Sequence, residues 1–429
     1  MELEQLYTIF AKYPSISTDS RNVAKNSIFF ALKGENFNGN KFSGLALQNG
    51  AAYAIIDEKQ YYVSERTIVV DDVLKTLQLL ANYHRKQFTI PFIGITGTNG
   101  KTTTKELIQA VLSSTYRTSA TIGNLNNHIG VPLTLLKIES NTEIAIVEMG
   151  ANHQNEIEHL CEIAEPEIGL ITNIGKAHLE GFGSFKGVIK AKSELYDYIK
   201  LHNGTLICNR ADSLLNELAG DYASVGYGEG PDSLVKARMI KSDPFLEIEL
   251  SLGKKNMFVK SKLTGAYNLN NLLAAVAIGI HFRVSAENIK AALEIYEPTN
   301  NRSQLLRTRK NTLILDAYNA NPSSMKLAID NLVQLDSKNK YAILGDMLEL
   351  GIYSEEEHLA VVEQLRTAKL KNVVLVGKHF RKSAEAYAMI HCQDAAEAKI
   401  RIESMNIDSA TILIKGSRGI QLEKVVDVL

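Results

Sequence analysis

The chain has 429 residues, of which 45% are hydrophobic and 22% are charged, and its formal net charge is -1. The length predicts about three domains of roughly 100–200 residues each, and the composition is that of an ordinary folded protein. A net charge so close to zero gives no reason to expect nucleic acid or an anionic membrane surface as a partner. The three cysteines are far apart and show no CxxC spacing, which argues against a disulfide framework or a zinc site.

The lack of two sequence features, a signal peptide and a membrane span, predicts a cytoplasmic protein. The N-terminus lacks the basic stretch and apolar core of a signal peptide. No apolar run reaches the ~20 residues that a membrane span needs, and the longest run, 269–280, is interpreted as a buried helix. Because no long coiled-coil pattern is visible, we expect a monomer.

Residues 1–88 alternate short apolar runs with turns and predict a small α/β domain. The predicted elements in this part are strands at 27–32, 52–56 and 67–70, a turn at 33–36 and a helix at 73–86.

Residues 89–300 predict a central domain with a mainly parallel sheet. The apolar run 92–96 leads into a Gly-rich loop and then a helix, and further buried strands are predicted at 144–149 and 168–174. A repeated order of strand, loop and helix is typical of a parallel sheet with helices on both faces. Alternating residues within 223–264 predict an antiparallel extension of this sheet, and 267–281 predict a helix.

Residues 301–429 repeat the strand and helix pattern after a turn-like segment at 298–301. The predicted elements are strands at 312–315, 341–344, 373–376 and 411–414 and helices at 323–335 and 354–368. This order predicts a Rossmann-like third domain, so the predicted fold class is α/β with three domains.

The most specific motif is the Gly-rich loop between the strand at 92–96 and the following helix. Glycines let backbone N–H groups point at phosphate oxygens, and the helix N-terminus adds partial positive charge. We expect Lys101 to reach the terminal phosphates of a nucleotide and Thr102 to bind Mg²⁺. The spacing departs from G-x-x-x-x-G-K-[ST], because Ile95 occupies the position of the first glycine. The predicted phosphate-binding residues are Gly97, Thr98, Asn99, Gly100, Lys101, Thr102 and Thr103.

Three further polar residues stand near predicted strands or helices, and each has two interpretations. Glu148 ends the strand at 144–149, where ligands of open α/β sheets bind, and is either a second Mg²⁺ ligand or a surface carboxylate. His178 lies in a Gly-rich loop and is either a ligand or a structural histidine. Lys192, taken from the residues alone, has the pattern of an exposed helix lysine.

These segments together resemble the Mur ligase family. The loop at 97–102 is similar to the phosphate loop of Mur ligases and of the related folylpolyglutamate synthetases. Tyr-Asn-Ala-Asn-Pro at 318–322 and Gly-Asp-Met-Leu-Glu-Leu-Gly at 345–351 resemble the members that add D-alanyl-D-alanine. Similar segments at 18–21, 123–127, 148–153, 177–183 and 415–418 extend the resemblance, in order, over nearly the whole chain.

The resemblance implies an ADP-forming ligase of peptidoglycan precursor synthesis, with UDP-N-acetylmuramoyl-tripeptide and D-alanyl-D-alanine as substrates. It implies a UDP-binding domain at 1–88, a central P-loop ATPase at 89–300 and a Rossmann-like domain at 301–429. The tripeptide carboxylate would be phosphorylated by ATP, and the dipeptide amine would then displace phosphate from the acyl phosphate. Because water would hydrolyse that intermediate, we expect the third domain to close over the ATPase, with a hinge near 298–302.

The resemblance also implies a catalytic set of Lys101, Lys192 and His178 and two Mg²⁺ ions. Thr102 and Glu148 would bind the first ion and His178 the second. Lys192 would be carbamylated by CO₂, which converts an amine into an oxygen ligand. Carbamylation needs a neutral amine, so the pKa of Lys192 must lie well below its ordinary value of ~10.4.

The remaining site residues are implied in the same way. Asn268 and Asn271 would contact the adenine, although Tyr267 replaces an expected histidine and helix capping is an alternative role for the asparagines. The residues expected on the ATP phosphates and ribose are Arg302 and Asp316. Those expected on the UDP-linked peptide and the dipeptide are Ser20, Arg21, Asn124, Asn126, Asn127, Asn319, Asn321, Asp346, Lys415 and Arg418.

Departures from the family pattern leave some assignments open. An Asx turn is an alternative role for Ser20 and Arg21, and 38–41 lacks the acidic residue and histidine expected after the turn at 33–36. Another ligase of the superfamily, such as an amino-acid-adding muramoyl ligase or a folylpolyglutamate synthetase, is one alternative function. A non-catalytic ATP-binding regulatory module is the other.

Overall fold

The computed structural model describes residues 2–230, 232–253 and 255–429. Three main sheets follow one another along the chain, with four, nine and six strands, and a two-stranded hairpin accompanies the first. Most strand pairs in these sheets are parallel and helices connect them, so the predicted α/β class with three domains is confirmed. In the described part of the chain, no helix has the length and apolar character needed to cross a membrane.

The N-terminal sheet has the strand order β1-β2-β5-β6, and its strands are all parallel. The strands of this sheet are β1 (Ile16–Ser17), β2 (Ile28–Phe30), β5 (Tyr53–Ile56) and β6 (Thr67–Val69), and the separate antiparallel hairpin consists of β3 (Lys33–Gly34) and β4 (Phe37–Asn38). Its helices are α1 (Leu3–Lys12), α2 (Ser43–Gln48) and α3 (Val73–Arg85).

The central sheet has the order β15-β14-β13-β12-β11-β10-β7-β9-β8, parallel from β8 to β13 and antiparallel from β13 to β15. Its strands are β7 (Phe92–Thr96), β8 (Thr118–Ala120), β9 (Ile144–Glu148), β10 (Ile168–Ile171), β11 (Thr205–Asn209), β12 (Ser224–Tyr227), β13 (Ser233–Lys241), β14 (Glu247–Leu252) and β15 (Lys255–Lys260). Its helices are α4 (Lys101–Ser113), α5 (Gly130–Leu135), α6 (Glu156–Ala164), α7 (Leu179–Phe182), α8 (Phe185–Leu201), α9 (Ser213–Ala219), α10 (Leu269–His281) and α11 (Ala286–Ile295). The predicted antiparallel extension is therefore confirmed.

The C-terminal sheet has the order β16-β17-β21-β18-β19-β20 and is parallel except for β16. Its strands are β16 (Gln304–Arg307), β17 (Thr312–Asp316), β18 (Lys340–Gly345), β19 (Asn372–Val376), β20 (Ile390–Cys392) and β21 (Thr411–Lys415). Its helices are α12 (Pro322–Gln334), α13 (Ser354–Thr367), α14 (Arg381–Ala386) and α15 (Ala395–Ser404).

Strand β7 is buried along its whole length and lies between β10 and β9 in the sheet. The later strands β8 and β9 lie on one side of it and β10 on the other, so the strand order reverses at β7. A parallel sheet leaves a crevice beyond the carboxyl ends of its strands at such a switch point. The phosphate loop leaves β7 at this end, and Glu148 ends the neighbouring β9. The chain order of the strands thus brings the two segments together.

Two predicted elements differ from the structure. The predicted turn at 33–36 is wrong at its start, because Lys33 and Gly34 pair with Asn38 and Phe37 in a short hairpin. The strand predicted at 168–174 ends at Ile171, because the next side chains turn toward the phosphate loop. Thr172 Oγ1 donates to Asn99 O at 2.6 Å and Asn173 Nδ2 to the same oxygen at 2.9 Å.

Candidate active site

A cleft of about 930 Å³ lies between the central sheet and the C-terminal domain. The phosphate loop and the end of β9 form one side of it, and segments that follow β17 and β21 form the other. The predicted residues that line it are Thr98, Asn99, Gly100, Lys101, Thr102, Thr103, Asn124, Asn126, Asn127, Glu148, His178, Asn268, Asn271, Arg302, Asp316, Asn319, Asn321, Lys415 and Arg418.

The phosphate loop needs both of its glycines. Gly97 has φ +140°, and a Cβ there would lie 2.0 Å from Thr172 Oγ1. Gly100 has φ +78°, and a Cβ there would lie 2.6 Å from Asn271 Oδ1. The loop is also tied to β10, since Asn99 N donates to Asn173 Oδ1 at 3.0 Å. The loop conformation is therefore specified by side chains outside the motif.

Lys101 opens helix α4 and folds over its own loop. Its Nζ donates to the carbonyl oxygens of Gly97 at 2.7 Å and Thr98 at 3.2 Å. Burial lowers the pKa of Lys101 to about 8, the nearby charge of Glu148 raises it, and that of Arg302 lowers it. A phosphate beside this ammonium would favour its charged form.

Glu148 is 1% exposed, so its interpretation as a surface carboxylate is wrong. Its Oε1 accepts hydrogen bonds from Thr102 Oγ1 at 3.1 Å and Asn126 Nδ2 at 2.8 Å. Its Oε2 is buried without a hydrogen-bond partner among the described residues and lies 3.7 Å from Lys105 Nζ. Sequence reasoning missed Lys105, although the i, i+4 spacing to Lys101 placed both on one face of α4.

The donor set around Glu148 fits Mg²⁺. The metal prefers oxygen ligands and is usually held by one or two carboxylates, substrate phosphates and water. The unpartnered Glu148 oxygen and the Thr102 hydroxyl are such ligands. No three His, Cys, Asp or Glu side chains form a metal cluster in residues 2–230, 232–253 and 255–429, so the site would depend on phosphates for further ligands.

Lys192 lies on helix α8 and is 2% exposed, so its interpretation as an exposed helix lysine is wrong. Burial, and to a smaller extent the charge of Lys101, lower the pKa of Lys192 to about 7. Its Nζ lies 3.5 Å from Ala151 O and 5.4 Å from the centre of the Phe182 ring. It stands behind the cleft wall, and its pKa is shifted in the direction that carbamylation requires.

His178 precedes helix α7 in the left-handed region, with φ +50°. Its Nδ1 lies 2.5 Å from Oε2 of Glu349, a residue of the C-terminal domain that also lines the cleft. Nδ1 is a buried nitrogen that has no hydrogen-bond partner among the described residues, and this carboxylate oxygen is close beside it. The nearby His178 imidazole lowers the pKa of Glu349. Sequence reasoning missed Glu349 as a site residue, although it lies within the motif at 345–351.

The predicted adenine-side asparagines form a buried network with helix α4. Asn271 Nδ2 donates to Asn268 Oδ1 at 2.7 Å, and Thr104 Oγ1 donates to Asn271 Oδ1 at 3.1 Å. Tyr267, which replaces the expected histidine, forms a 2.7 Å hydrogen bond through its hydroxyl with Ser303 Oγ. Burial raises the pKa of Tyr267, so this hydroxyl stays protonated.

The C-terminal side of the cleft presents cations around one tyrosine. The guanidinium of Arg302 lies 3.7 Å and that of Arg418 5.2 Å from the centre of the Tyr318 ring. Lys415 is buried, and its Nζ contacts Asp316 Oδ2 at 2.6 Å and donates to Asn319 O at 3.1 Å. Arg418 is exposed, so its guanidinium is more accessible than the buried Lys415 ammonium.

Asn321 joins the two sides of the cleft. It caps helix α12 by accepting from Ser324 N at 2.9 Å, and Ser324 completes a capping box. Its Nδ2 donates to Asn99 Oδ1 of the phosphate loop at 2.8 Å. One side chain therefore fixes a helix of the C-terminal domain against the phosphate loop.

Three predicted substrate residues do not line this cleft. Asp346 is 1% exposed, and its carboxylate accepts from the backbone N–H groups of His379 and Phe380 at 2.9 and 3.0 Å, which orients it into its own domain. Ser20 and Arg21 lie in the N-terminal domain, where Asp19 holds Arg21 in a 2.8 Å ion pair. The Asx-turn interpretation fits that geometry, since Arg21 N also donates to Asp19 Oδ1.

Comparison with known proteins matches all three parts of the chain. The profile described as Mur ligase family, catalytic domain, matches residues 12–85, the Mur ligase middle domain matches 95–279, and the Mur ligase, glutamate ligase domain, matches 301–418. The UDP-N-acetylmuramoyl-tripeptide–D-alanyl-D-alanine ligase of Bacillus subtilis is 34% identical over 96% of this chain and 92% of its own.

Solved structures agree with these matches. MurF from Acinetobacter baumannii is similar with a TM-score of 0.87 and 33% identity over 96% of this chain and 92% of that one. MurF from Thermotoga maritima in complex with ADP is similar with a TM-score of 0.84 and 26% identity over 96% of both chains. The family resemblance seen in the sequence is confirmed, and the chain belongs to the Mur ligase family.

Proposed function

We propose that this protein is an ATP-dependent, ADP-forming ligase that joins D-alanyl-D-alanine to UDP-N-acetylmuramoyl-tripeptide in peptidoglycan precursor synthesis. One observation carries the proposal: a phosphate loop with Lys101, Thr102 and Glu148 faces Asn319, Asn321 and Arg418 across a single cleft. The phosphate loop would hold the phosphoryl donor on one side of the cleft, and the polar groups on the other side would hold the peptide substrates. Such a cleft can bring a phosphoryl donor to a peptide carboxylate. The Bacillus subtilis relative is a ligase of this type, and the match covers 92% of its length.

The reaction would begin at the nucleotide side of the cleft. One oxygen of the tripeptide carboxylate attacks the γ-phosphorus of ATP, the bond to the β-phosphate oxygen breaks, and ADP leaves. The product is an acyl phosphate, which turns a poor electrophile into a good one. Lys101 and the amides of the phosphate loop would stabilise the charge on the transferred phosphoryl group.

The second step forms the amide bond. The amine of D-alanyl-D-alanine attacks the acyl carbon, a proton leaves the nitrogen, and phosphate departs with the bridging oxygen. We assign the dipeptide carboxylate to Arg418, because a guanidinium can bind a carboxylate through two parallel hydrogen bonds. Lys415 is occupied by Asp316 and Asn319 and would act by holding that side of the cleft in place.

Mg²⁺, when bound, would neutralise phosphate charge as a Lewis acid. Thr102 and Glu148 would hold one ion, and His178 and a carbamylated Lys192 would serve the second. The lowered pKa of Lys192 supports carbamylation, since only a neutral amine reacts with CO₂.

The remaining assignments concern the three domains and the other residues of the site. We assign residues 1–88 to binding the UDP part through Ser20 and Arg21, 89–300 to ATP, and 301–429 to the dipeptide. Asn268 and Asn271 would border the adenine, Arg302 and Asp316 the phosphates and ribose, and Asn124, Asn126 and Asn127 the peptide. We also propose a monomer that works in the cytoplasm, a reducing compartment in which the three buried cysteines would stay as free thiols.

The direct test is phosphate release with ATP and Mg²⁺, measured with UDP-N-acetylmuramoyl-tripeptide and D-alanyl-D-alanine separately and together. We expect release only when both are present, and a UDP-linked pentapeptide as the product in a mass spectrum. Release driven instead by a single amino acid or by folate and glutamate would move the protein to another branch of the superfamily. Tight ATP binding without release under any of these conditions would indicate a regulatory module.

A further inference from the structure

We propose that Glu349 is a positioning residue, which holds His178 for metal binding and makes that binding depend on the docked C-terminal domain. The inference rests on the proposed function, because it concerns the second Mg²⁺ of that reaction. His178 belongs to the central domain and Glu349 to the C-terminal domain. Their contact therefore joins a candidate metal ligand to the part of the protein that carries the other side of the cleft.

The geometry of the contact determines which nitrogen is available. Glu349 Oε2 lies 2.5 Å from His178 Nδ1, which leaves Nε2 as the nitrogen that can bind a metal. Histidine ligands are commonly oriented by a carboxylate or carbonyl group on the opposite ring nitrogen, and this partner also raises the basicity of the ligand. The Glu349 side chain is in this position although it comes from another domain.

Backbone contacts support the same pairing. Glu180 N donates to Glu349 O at 3.2 Å, so the segment after His178 is held by the same residue. Both ends of the contact lie in the left-handed region, with φ +50° at His178 and +63° at Glu349. Such conformations are costly for residues other than glycine and are often kept where a site requires them. The two left-handed residues therefore meet at the point where the two domains are in contact.

Neighbouring contacts provide a control. The loop that carries His178 also meets the C-terminal domain through Lys176, whose Nζ contacts Glu357 Oε1 at 2.6 Å. This ion pair joins the same two domains through the same loop but does not touch His178. Glu357→Gln should therefore remove one half-exposed ion pair between the two domains, which costs little, while Glu349 stays docked against the imidazole.

The experiment is a Mn²⁺ titration of the full-length protein bound to a non-hydrolysable ATP analogue, with free Mn²⁺ measured by electron paramagnetic resonance. We expect the wild-type protein to bind two ions and Glu349→Ala to lose about 10–100-fold in affinity at one of them. Glu349→Gln keeps an oxygen that can accept from Nδ1–H, so its loss should be smaller. Glu357→Gln should bind both ions as the wild type does.

Three results would overturn the inference. They are wild-type affinity in Glu349→Ala, an equal loss in Glu357→Gln, and a wild-type protein that binds only one Mn²⁺. The titration uses neither the muramoyl peptide nor D-alanyl-D-alanine. A failure here is therefore distinct from a failure of the proposed substrates, which the phosphate-release assay would reveal.

Discussion

Three lysines in or next to the cleft, Lys101, Lys105 and Lys192, are more buried than ordinary surface lysines. Burial is the main reason that the pKa of Lys101 is lowered to about 8 and that of Lys192 to about 7. The positive charge of Lys101 also contributes to the lowered pKa of Lys192. Lys105 is also buried and lies 3.7 Å from Glu148 Oε2. An apolar surrounding disfavours such charges unless anions are near, so this group of residues is suited to a polyanionic ligand.

Lys101→Ala tests the phosphate loop at the level of one side chain. We expect kcat to fall by at least about 10²-fold, because the variant lacks a charge aimed at the transferred phosphoryl group. The melting temperature should change little, since Nζ makes hydrogen bonds only to the carbonyls of its own loop among the described residues. Steady-state turnover and thermal unfolding check these two expectations. Turnover at the wild-type rate would rule out the assignment of Lys101.

The pKa of Lys192 predicts how carbamylation depends on pH. Above about pH 7 the amine is mostly neutral, and below it the ammonium form, which cannot react with CO₂, predominates. After CO₂ is removed and restored, recovery of activity should slow by about tenfold per pH unit below that value.

Lys192→Ala gives the matching variant for this prediction. It should lose activity at every pH, and short-chain carboxylic acids should restore part of it by supplying the missing oxygen ligand. Full activity in Lys192→Ala without any added acid would refute a ligand role for this lysine.

Local signals were enough to predict the elements that carry the phosphate loop. Strand β7 is a short apolar run, and the glycines after it and Lys101 belong to one continuous motif, so the sequence predicts this part well. The burial of Lys192 was not predictable from the residues alone, because it depends on how α8 packs against the loop containing Ala151. The same holds for Asp346, whose polar partners His379 and Phe380 lie more than thirty positions away in the chain.

Asn321 caps helix α12 and also contacts the phosphate loop, and one substitution can separate these two roles. Asn321→Asp keeps an oxygen that caps the helix as well as asparagine does, but it loses the N–H donor to Asn99. We expect the free energy of unfolding to stay within about 0.5 kcal/mol of the wild type. ATP affinity should fall by about 2–10-fold, because one hydrogen bond is lost and a negative charge is added beside the phosphate loop.

Denaturant unfolding and nucleotide titration measure the two effects. Asn321→Ala is the comparison, because it loses the cap as well and should cost about 1 kcal/mol of stability. Unchanged ATP affinity in Asn321→Asp would mean that the contact with Asn99 does not support the loop.

The three domains are attached in different ways. Helix α3 fixes the N-terminal domain to the central one, where Arg85 donates to the carbonyls of Ala164 at 3.0 Å and Glu165 at 2.8 Å from a buried position. The link to the C-terminal domain is a segment without helix or strand between α11 and β16. The sequence predicts such a linker from its turn residues, but the cross-domain contacts of Asn321 and Glu349 depend on the assembled structure.

This arrangement predicts that the C-terminal domain moves while the other two move as one unit. We expect the hinge near 298–302, where Asn300 Nδ2 donates a 2.9 Å hydrogen bond to Glu106 and Asn301 has φ +56°. We expect the radius of gyration from solution X-ray scattering to fall when an ATP analogue and the muramoyl peptide are added together. Lys101→Ala, with impaired nucleotide binding, is the control and should show a smaller change. A radius that stays constant in the wild type would contradict closure.

The central claim is that the cleft between the central and C-terminal domains phosphorylates a peptide carboxylate before the amide bond forms. It is tested most directly by labelling both oxygens of the tripeptide's terminal carboxylate with ¹⁸O and following the label through one round of ligation. The mechanism predicts one ¹⁸O in the released phosphate and one in the new amide carbonyl, because the bridging oxygen leaves with phosphorus. Phosphate without label, released while the amide bond forms, would contradict the acyl-phosphate route.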